Sequence, residues 1–315
     1  MAAELVRRPS RLATWWGAWW DGDLAWSFRH TPSAMIAALI LLLIVASAVL
    51  APLITPQNPY DLTQLFLDQA ELPPAWTTDG ALPFLLGTDP QGRDVFSAIL
   101  YGSRISLVIG LASVALATLL GIAMGLLAGY HGGWLDNLLM RIGDTVLSLP
   151  TLLIAILFNA VCRQLLPGDM RELLAPGILV LSIAAVSWVQ YARVVRGSTM
   201  VEAGKDYVLA ARIIGVRPRR IMLGHILPNV MTPVLVTATL NLGLAILAEA
   251  TLSFLGVGMP VNQPSLGTLI RIGNEYFFSG SWWVVLFPAL QLCLIILSVN
   301  LLADWLRDAL NPKLR

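Results

Sequence analysis

Apolar residues along this 315-residue chain gather into long runs. Six runs reach the roughly 20 residues that a helix needs to cross the hydrocarbon layer. They are Ser33–Leu53, Ser106–Tyr130, about Leu138–Val161, Pro176–Val195, Thr232–Val257 and Trp282–Leu302. The pattern predicts an all-α integral membrane protein with six transmembrane helices. The first run starts behind some thirty mostly polar and aromatic residues. It lies too far in for an ordinary signal peptide and shows no usual cleavage site, so we read it as a retained helix.

Composition agrees. Hydrophobic residues make up 57% of the chain and charged residues 12%, against about 25% charged in soluble domains. A water-soluble globule of this length is excluded. The net charge of +1 carries no information about nucleic acid, and no basic block or basic–aromatic patch points to one. Cys162 and Cys293 lie far apart, in or beside apolar runs, and read as small core hydrophobes. His30, His131 and His225 form no metal-binding spacing.

The distribution of positive charge orients the bundle. With the N-terminus cytoplasmic, the inner side holds Arg7, Arg8, Arg11, Arg29, Arg141, Arg193, Arg196, Lys205, Arg212, Arg217, Arg219, Arg220, Arg307, Lys313 and Arg315. The outer side holds only Arg93, Arg104, Arg163, Arg171 and Arg271. Both termini are therefore expected inside. Trp15, Trp16, Trp19, Trp20 and Trp26 suit a helix at the membrane interface, where indoles prefer to sit.

Within the spans, Ala117, Gly121, Gly125 and Gly129 fall four apart on one helix face. Small residues so spaced allow close helix approach, either inside the chain or between two subunits. Ionisable residues in spans are functional suspects. Asp144 is expected to pair with Arg141, three residues before it. Glu249 has no basic neighbour at helical spacing and should face protein or a water-filled path. Pro150 should kink the third span. Glu249, Ser253, Asp144 and Pro150 are the candidate pathway or gating residues.

The most charged part of the chain is the inner segment 196–231. Helix is expected from Glu202 to Ile213, with Gly215 ending it, Pro218 opening a second short helix and Pro228 stopping that one. A helix–Gly–helix that projects inward is shaped to dock into another protein. The two lysines, Lys205 and Lys313, sit in no phosphate-cradling GxxxxGK[ST] motif, so any ATP hydrolysis must occur on another subunit.

The order Glu202, Ala203, Gly215, Ile221, His225, Leu227, Pro228 resembles the EAA loop of binding-protein-dependent ABC importers. Four further stretches resemble the "C"-type dipeptide/oligopeptide/nickel permeases: GTDPQGRDVFSAILYGSRISL from Gly87, DYVLAARIIG from Asp206, HILPN from His225, and EATLSFLGVG from Glu249. The resemblance spans roughly Ser33–Leu310. Gly204 departs from the pattern, where a second Ala often stands.

The resemblance implies a type I ABC importer (MetI-like) permease fold in a bacterial inner membrane. Its plan would be an interfacial segment 1–32, a first helix 33–55, a periplasmic loop 56–103 ending in a short interfacial helix from Gly92 to Ser103, a core 104–306 and a tail 307–315. It implies an ATPase-coupling loop of Glu202, Ala203, Gly204, Asp206, Tyr207, Ala210, Ala211, Arg212, Gly215, Arg219, Ile221, His225, Leu227 and Pro228. It also implies an outer-mouth motif of Gly87, Asp89, Gly92, Arg93, Asp94, Gly102 and Arg104. The implied partners are a second permease, two ABC ATPase subunits that bind ATP and Mg, and an extracytoplasmic binding protein. No cofactor is expected on this chain. Di- or oligopeptides are the expected cargo, with nickel chelates, glutathione or other small solutes as alternatives.

Two rival classes remain. A polytopic membrane enzyme would use His131, His225, Asp136 and Asp144 near the inner face, but these lack motif spacing. A secondary transporter would show internal repeats and discontinuous spans, and the sequence shows neither.

Overall fold

The computed structural model describes residues 23–310. Most of the N-terminal tryptophan cluster lies outside them. Trp26 does not: it stands in α1 (Asp23–Arg29) and stacks on His30, ring centroids 4.2 Å apart.

Among the described residues five helices are long and apolar enough to cross a membrane. They are α2 (Pro32–Val49), α4 (Val95–His131), α8 (Ala175–Ala203), the continuous helix Pro218–Phe254 and α13 (Trp283–Ala309). Short α3 (Ala51–Ile54) follows α2. The pair α5 (Gly133–Ser148) and α6 (Thr151–Leu165) makes a sixth span if taken together. Among the described residues the one β pairing is an isolated bridge between Thr88 and Asp94. Outward leucines such as Leu42, Leu119, Leu157 and Leu297 are exposed, as suits a surface solvated by lipid.

Four expectations are corrected. The third span is not one kinked helix: α5 and α6 meet at 100°. Pro150 forces the residue before it out of the helical region, and Leu149 is extended at φ −103°, ψ 152°. The segment Gly92–Ser103 is no separate interfacial helix. Asp94 caps α4, whose first turns run unbroken through position 103. The helix expected from Glu202 to Ile213 breaks at Gly204 and Lys205, giving the end of α8 and then α9 (Asp206–Ile213). Pro228 stops nothing. Helix α10 (Pro218–Ile221) passes through a π-helical turn, Met222–Ile226, into α11 (Leu227–Phe254). In that turn the Leu227 N–H donates to the Met222 carbonyl, five residues back. The wider turn gives room for a proline that lacks an N–H and crowds the preceding carbonyls.

Helix α7 (Gly168–Leu173) leads into α8. Helix α12 (Leu266–Tyr276), in the stretch between the last two apolar runs, lies against α11 and α13. The most extensive helix contact is α4 on α8, and the small residues of α4 make it. A Cβ on Gly121 would stand 2.3 Å from Tyr191 Cβ, one on Gly125 2.6 Å from the Ala192 carbonyl, and one on Gly129 2.7 Å from the Arg196 carbonyl. Ala117 is fully buried. The stripe is internal packing in this chain.

Three apolar clusters stack along the bundle. Ile44, Ile99, Leu107, Ile246, Leu266 and Ile295 join α2, α4, α11, α12 and α13. Ile109, Ala155, Leu179, Ile183 and Leu252 join α4, α6, α8 and α11. Leu126, Val195, Val208, Ala211, Ile221 and Ile226 close the end that carries the charged loop. Both cysteines are free; Cys293 is exposed on α13 and not part of a core.

Candidate coupling and pathway sites

At the charged end, Glu202 sits on the last turn of α8 and is the hub of the loop. Its Oε1 accepts from Lys205 Nζ at 2.6 Å and its Oε2 from the Tyr207 hydroxyl at 2.6 Å. Asn229 Nδ2 donates to the Tyr207 oxygen at 3.1 Å and to the His225 carbonyl at 2.7 Å. One carboxylate thus links α8, α9 and α11. Burial, and next the bond to the Glu202 carboxylate, push the Tyr207 phenol above its ordinary value, so it stays a donor. His225 Nδ1 donates to the Arg220 carbonyl at 3.2 Å, bracing the π-helical turn.

Ala203 is half-buried, Gly204 caps α8, and Asp206 and Ala210 are exposed. Val208, Ala211 and Ile221 point into the bundle, with Leu227 packed beside them. Gly215 takes a left-handed φ of 77°. Its N–H donates to the Arg212 carbonyl and that of Val216 to the Ala211 carbonyl, the paired bonds of a Schellman cap. The Arg212 guanidinium lies 4.7 Å from the centroid of the Tyr130 ring and ties α9 to the end of α4. Beyond these anchors the tip is bare. Ile213 is 86% exposed and Ile214 77%, beside exposed Arg217, Pro218, Arg219, Arg220 and Pro228.

Asp144 does not pair with Arg141. It accepts from Arg193 Nη2 of α8 at 2.5 Å, on the surface. Asp136 binds Arg196 of α8 through both oxygens, at 2.5 and 2.6 Å. These two pairs fix the elbow of α5 and α6 to α8, with Pro150 at its corner. Both pairs join residues at least 49 positions apart, so helical spacing could not reveal them.

In the middle of the bundle Glu249 is fully buried. The Ser106 hydroxyl of α4 donates to its Oε2 at 2.7 Å, and that of Ser253 to its Oε1 at 2.8 Å. Ser253 Oγ in turn accepts the Met259 N–H, and Ser106 Oγ the Leu266 N–H. Glu249 and Ser253 therefore tie the turn after α11 and the start of α12 to α4. They face protein in this conformation.

At the opposite end the motif expected at the outer mouth is a buried knot. Arg93, 1% exposed, donates from Nε to Asp89 Oδ2 at 2.7 Å and from Nη1 to the Val261 carbonyl at 2.7 Å. Asp94 Oδ2 accepts the Ser97 N–H at 2.8 Å and the Ser97 hydroxyl, while the Asp94 N–H donates to Gln57 Oε1 at 2.7 Å. Burial raises the Asp94 carboxyl above the usual range. Gly92 has no room for a side chain: a Cβ would stand 2.3 Å from the Phe66 carbonyl. Gly87 is closed in by the Leu72 carbonyl and by Trp283, whose Nε1 donates to the Thr88 carbonyl. Gly102 abuts the start of α12. Arg104 stands apart from the knot and is exposed. Gln57, Ser106, Thr88 and Trp283 complete these clusters and were not singled out by sequence, because their partners are far away along the chain.

An all-helical bundle with five or six candidate spans, a capped polar loop at one end and a packed knot at the other defines a polytopic membrane protein. The family model described as binding-protein-dependent transport system inner membrane component matches residues 121–315, and that described as the N-terminal TM domain of oligopeptide transport permease C matches residues 15–74. The chain belongs to this family of importer permeases, whose members are transport subunits and not enzymes. It is 40% identical over 309 residues to the di/tripeptide transport system permease protein DppC of Pseudomonas aeruginosa, covering 98% of this chain and 94% of that one. It is 37% identical to the dipeptide transport system permease protein DppC of Haemophilus influenzae, covering 91% and 93%. It is 35% identical to the oligopeptide transport system permease protein OppC of Bacillus subtilis, covering 99% and 94%.

Proposed function

We propose that this chain forms half of the path by which an ATP-driven importer carries peptides, di- or oligopeptides foremost, into a bacterial cell. It would pair with a homologous permease, seat two ATPase subunits at the charged end and meet a loaded extracytoplasmic binding protein at the opposite end. Both termini would then be cytoplasmic. ATP and Mg belong to the ATPase subunits.

The observation that carries this reading is the bare tip of the loop. Exposed Ile213 and Ile214, flanked by arginines and held on a rigid Schellman cap, form a docking surface and not a self-sufficient end of a bundle. The Glu202–Tyr207–Asn229 link makes the tip one body with α8 and α11. A push on the tip when the ATPases close therefore moves two spans. This is alternating access driven from one end. The peptide cargo follows from the relatives' substrates and from no contact within the chain.

Two variants of the assembled complex test the coupling role. Gly215→Pro cannot adopt a positive φ, and Glu202→Lys places a cation beside Lys205 and removes the acceptor for Tyr207. Both should insert and assemble, hydrolyse ATP, and fail to couple hydrolysis to uptake. Unchanged receptor-stimulated hydrolysis and uptake in both would remove the coupling role.

A further inference from the structure

A cavity of about 460 Å³ opens at the end of the bundle opposite the charged loop. This volume is in the range of small-molecule sites. Tyr60, Tyr101, Arg104, Val108, Pro176 and Gln263 are among its lining residues, and none of the lining residues is acidic. Four separate parts of the chain thus contribute: the loop before α4, α4 itself, the start of α8 and the turn before α12.

Two features mark donors in the cavity that no acceptor meets. Arg104 is the tenth residue of α4, roughly 13 Å along it. That places it near the edge of the hydrocarbon layer, since the helix of about 55 Å overhangs a layer of about 30 Å. A guanidinium exposed at this depth is costly unless an anion or water meets it. The second feature is independent. The Tyr60 hydroxyl is buried and has no hydrogen-bond partner among the described residues. Its ring is held edge-on against Tyr101, centroids 5.1 Å apart, and Tyr101 is one turn from Arg104 on the same face. Burial pushes the Tyr60 phenol well above its ordinary value, and the fields of Arg104 and Arg93 reach it. It is a neutral donor at any physiological pH.

We propose that this cavity receives the free C-terminal carboxylate of a peptide on its way into the path, with Arg104 as the charged ligand and Tyr60 as the neutral donor. The inference rests on the peptide-importer reading. A guanidinium fork and a phenol together match the two oxygens of one carboxylate. The exposed amide side chain of Gln263 stands at the rim, where the next peptide unit would lie.

The test uses the assembled transporter without its receptor. Val108, exposed in the cavity wall, is replaced by Cys in a background carrying Cys162→Ser and Cys293→Ser. Labelling by a neutral maleimide is followed with trialanine or trialanine amide present. Trialanine should slow labelling and the amide should not. Arg104→Gln should raise the protecting concentration about tenfold or more, Tyr60→Phe by less, and Arg104→Lys should keep part of the protection. Uptake by the receptor-supplied complex gives the second readout: Arg104→Gln should slow trialanine uptake while leaving any residual uptake of the amide as it was. Equal protection by acid and amide, no protection by either, or equal slowing of both in uptake would overturn the proposal. The last result would make Arg104 an anchor for a lipid headgroup or for the second permease. If the unmodified complex shows receptor-stimulated ATP hydrolysis but no protection, the subsite alone fails. If it shows no such hydrolysis, the importer reading fails with it.

Discussion

The contact of α4 on α8 offers the sharpest stability test, because backbone and Cβ atoms make it. In Gly121→Ala the new methyl would stand 2.3 Å from Tyr191 Cβ, 2.9 Å from the Ala192 nitrogen and 3.0 Å from the Trp188 carbonyl. Carbon pairs rest at about 3.5–4.0 Å. The shortfall exceeds an ångström, and none of the three atoms is the far end of a flexible side chain. The helices must part or slide, which also loosens the contacts at Gly125 and Gly129. Overpacking of this kind costs about 1–3 kcal/mol, a drop in Tm of roughly 2–8 °C. The control is Gly197→Ala on α8, where a Cβ meets nothing within 4 Å. That change should be neutral or slightly stabilising through helix propensity. The assay is the melting of detergent-purified chain, followed by loss of the monodisperse peak after heating. Equal melting of the two variants would refute the packing argument. If Gly121→Ala weakened only association with a second permease, the stripe would be an interface between subunits.

Other sites give further expectations. Glu249→Gln keeps an acceptor and a donor for Ser106 and Ser253, whereas Glu249→Ala strands two buried hydroxyls at about 1–3 kcal/mol each; the Ala variant should melt well below the Gln variant, and equal melting would argue against the network. Asp89→Asn leaves the buried Arg93 guanidinium uncompensated, a loss of about 3–5 kcal/mol, read as lost yield of folded protein; a variant that folds at the usual yield would contradict the buried pair. Gly215 has open space around it, so Gly215→Asn should transport at near the normal rate. Gly215→Ala should be mildly impaired through the left-handed strain of about 1–2 kcal/mol. An ordering in uptake other than Asn, then Ala, then Pro would show that backbone conformation is not what matters at this position.

The sequence displayed whatever depends on local pattern. Apolar runs located the spans, and Gly215 was identifiable as a helix terminator because only its own backbone decides the matter. The helix boundaries were less legible. Ser106 begins the second apolar run, yet α4 starts at Val95, since the turns before it are buried in protein and carry polar residues such as Ser97 and Ser103. Pro228 misled because a π-helical turn can accommodate a proline, and no single residue announces that turn. Asp144 misled because Arg193 lies across a helix interface, where spacing of three or four residues has no bearing. The outer-mouth motif was visible as a string of residues, but its knot depends on Gln57, Val261 and Trp283, up to 195 positions away.

The central claim is that this bundle carries peptide only when an ATPase drives its charged loop. Uptake of a labelled dipeptide into proteoliposomes holding the complete transporter tests it most directly. Uptake should require both the loaded receptor and ATP hydrolysis, and an imposed ion gradient alone should give none. Uptake that persists on a gradient without ATP, or a complex that hydrolyses ATP on meeting the loaded receptor yet moves no peptide, would contradict it.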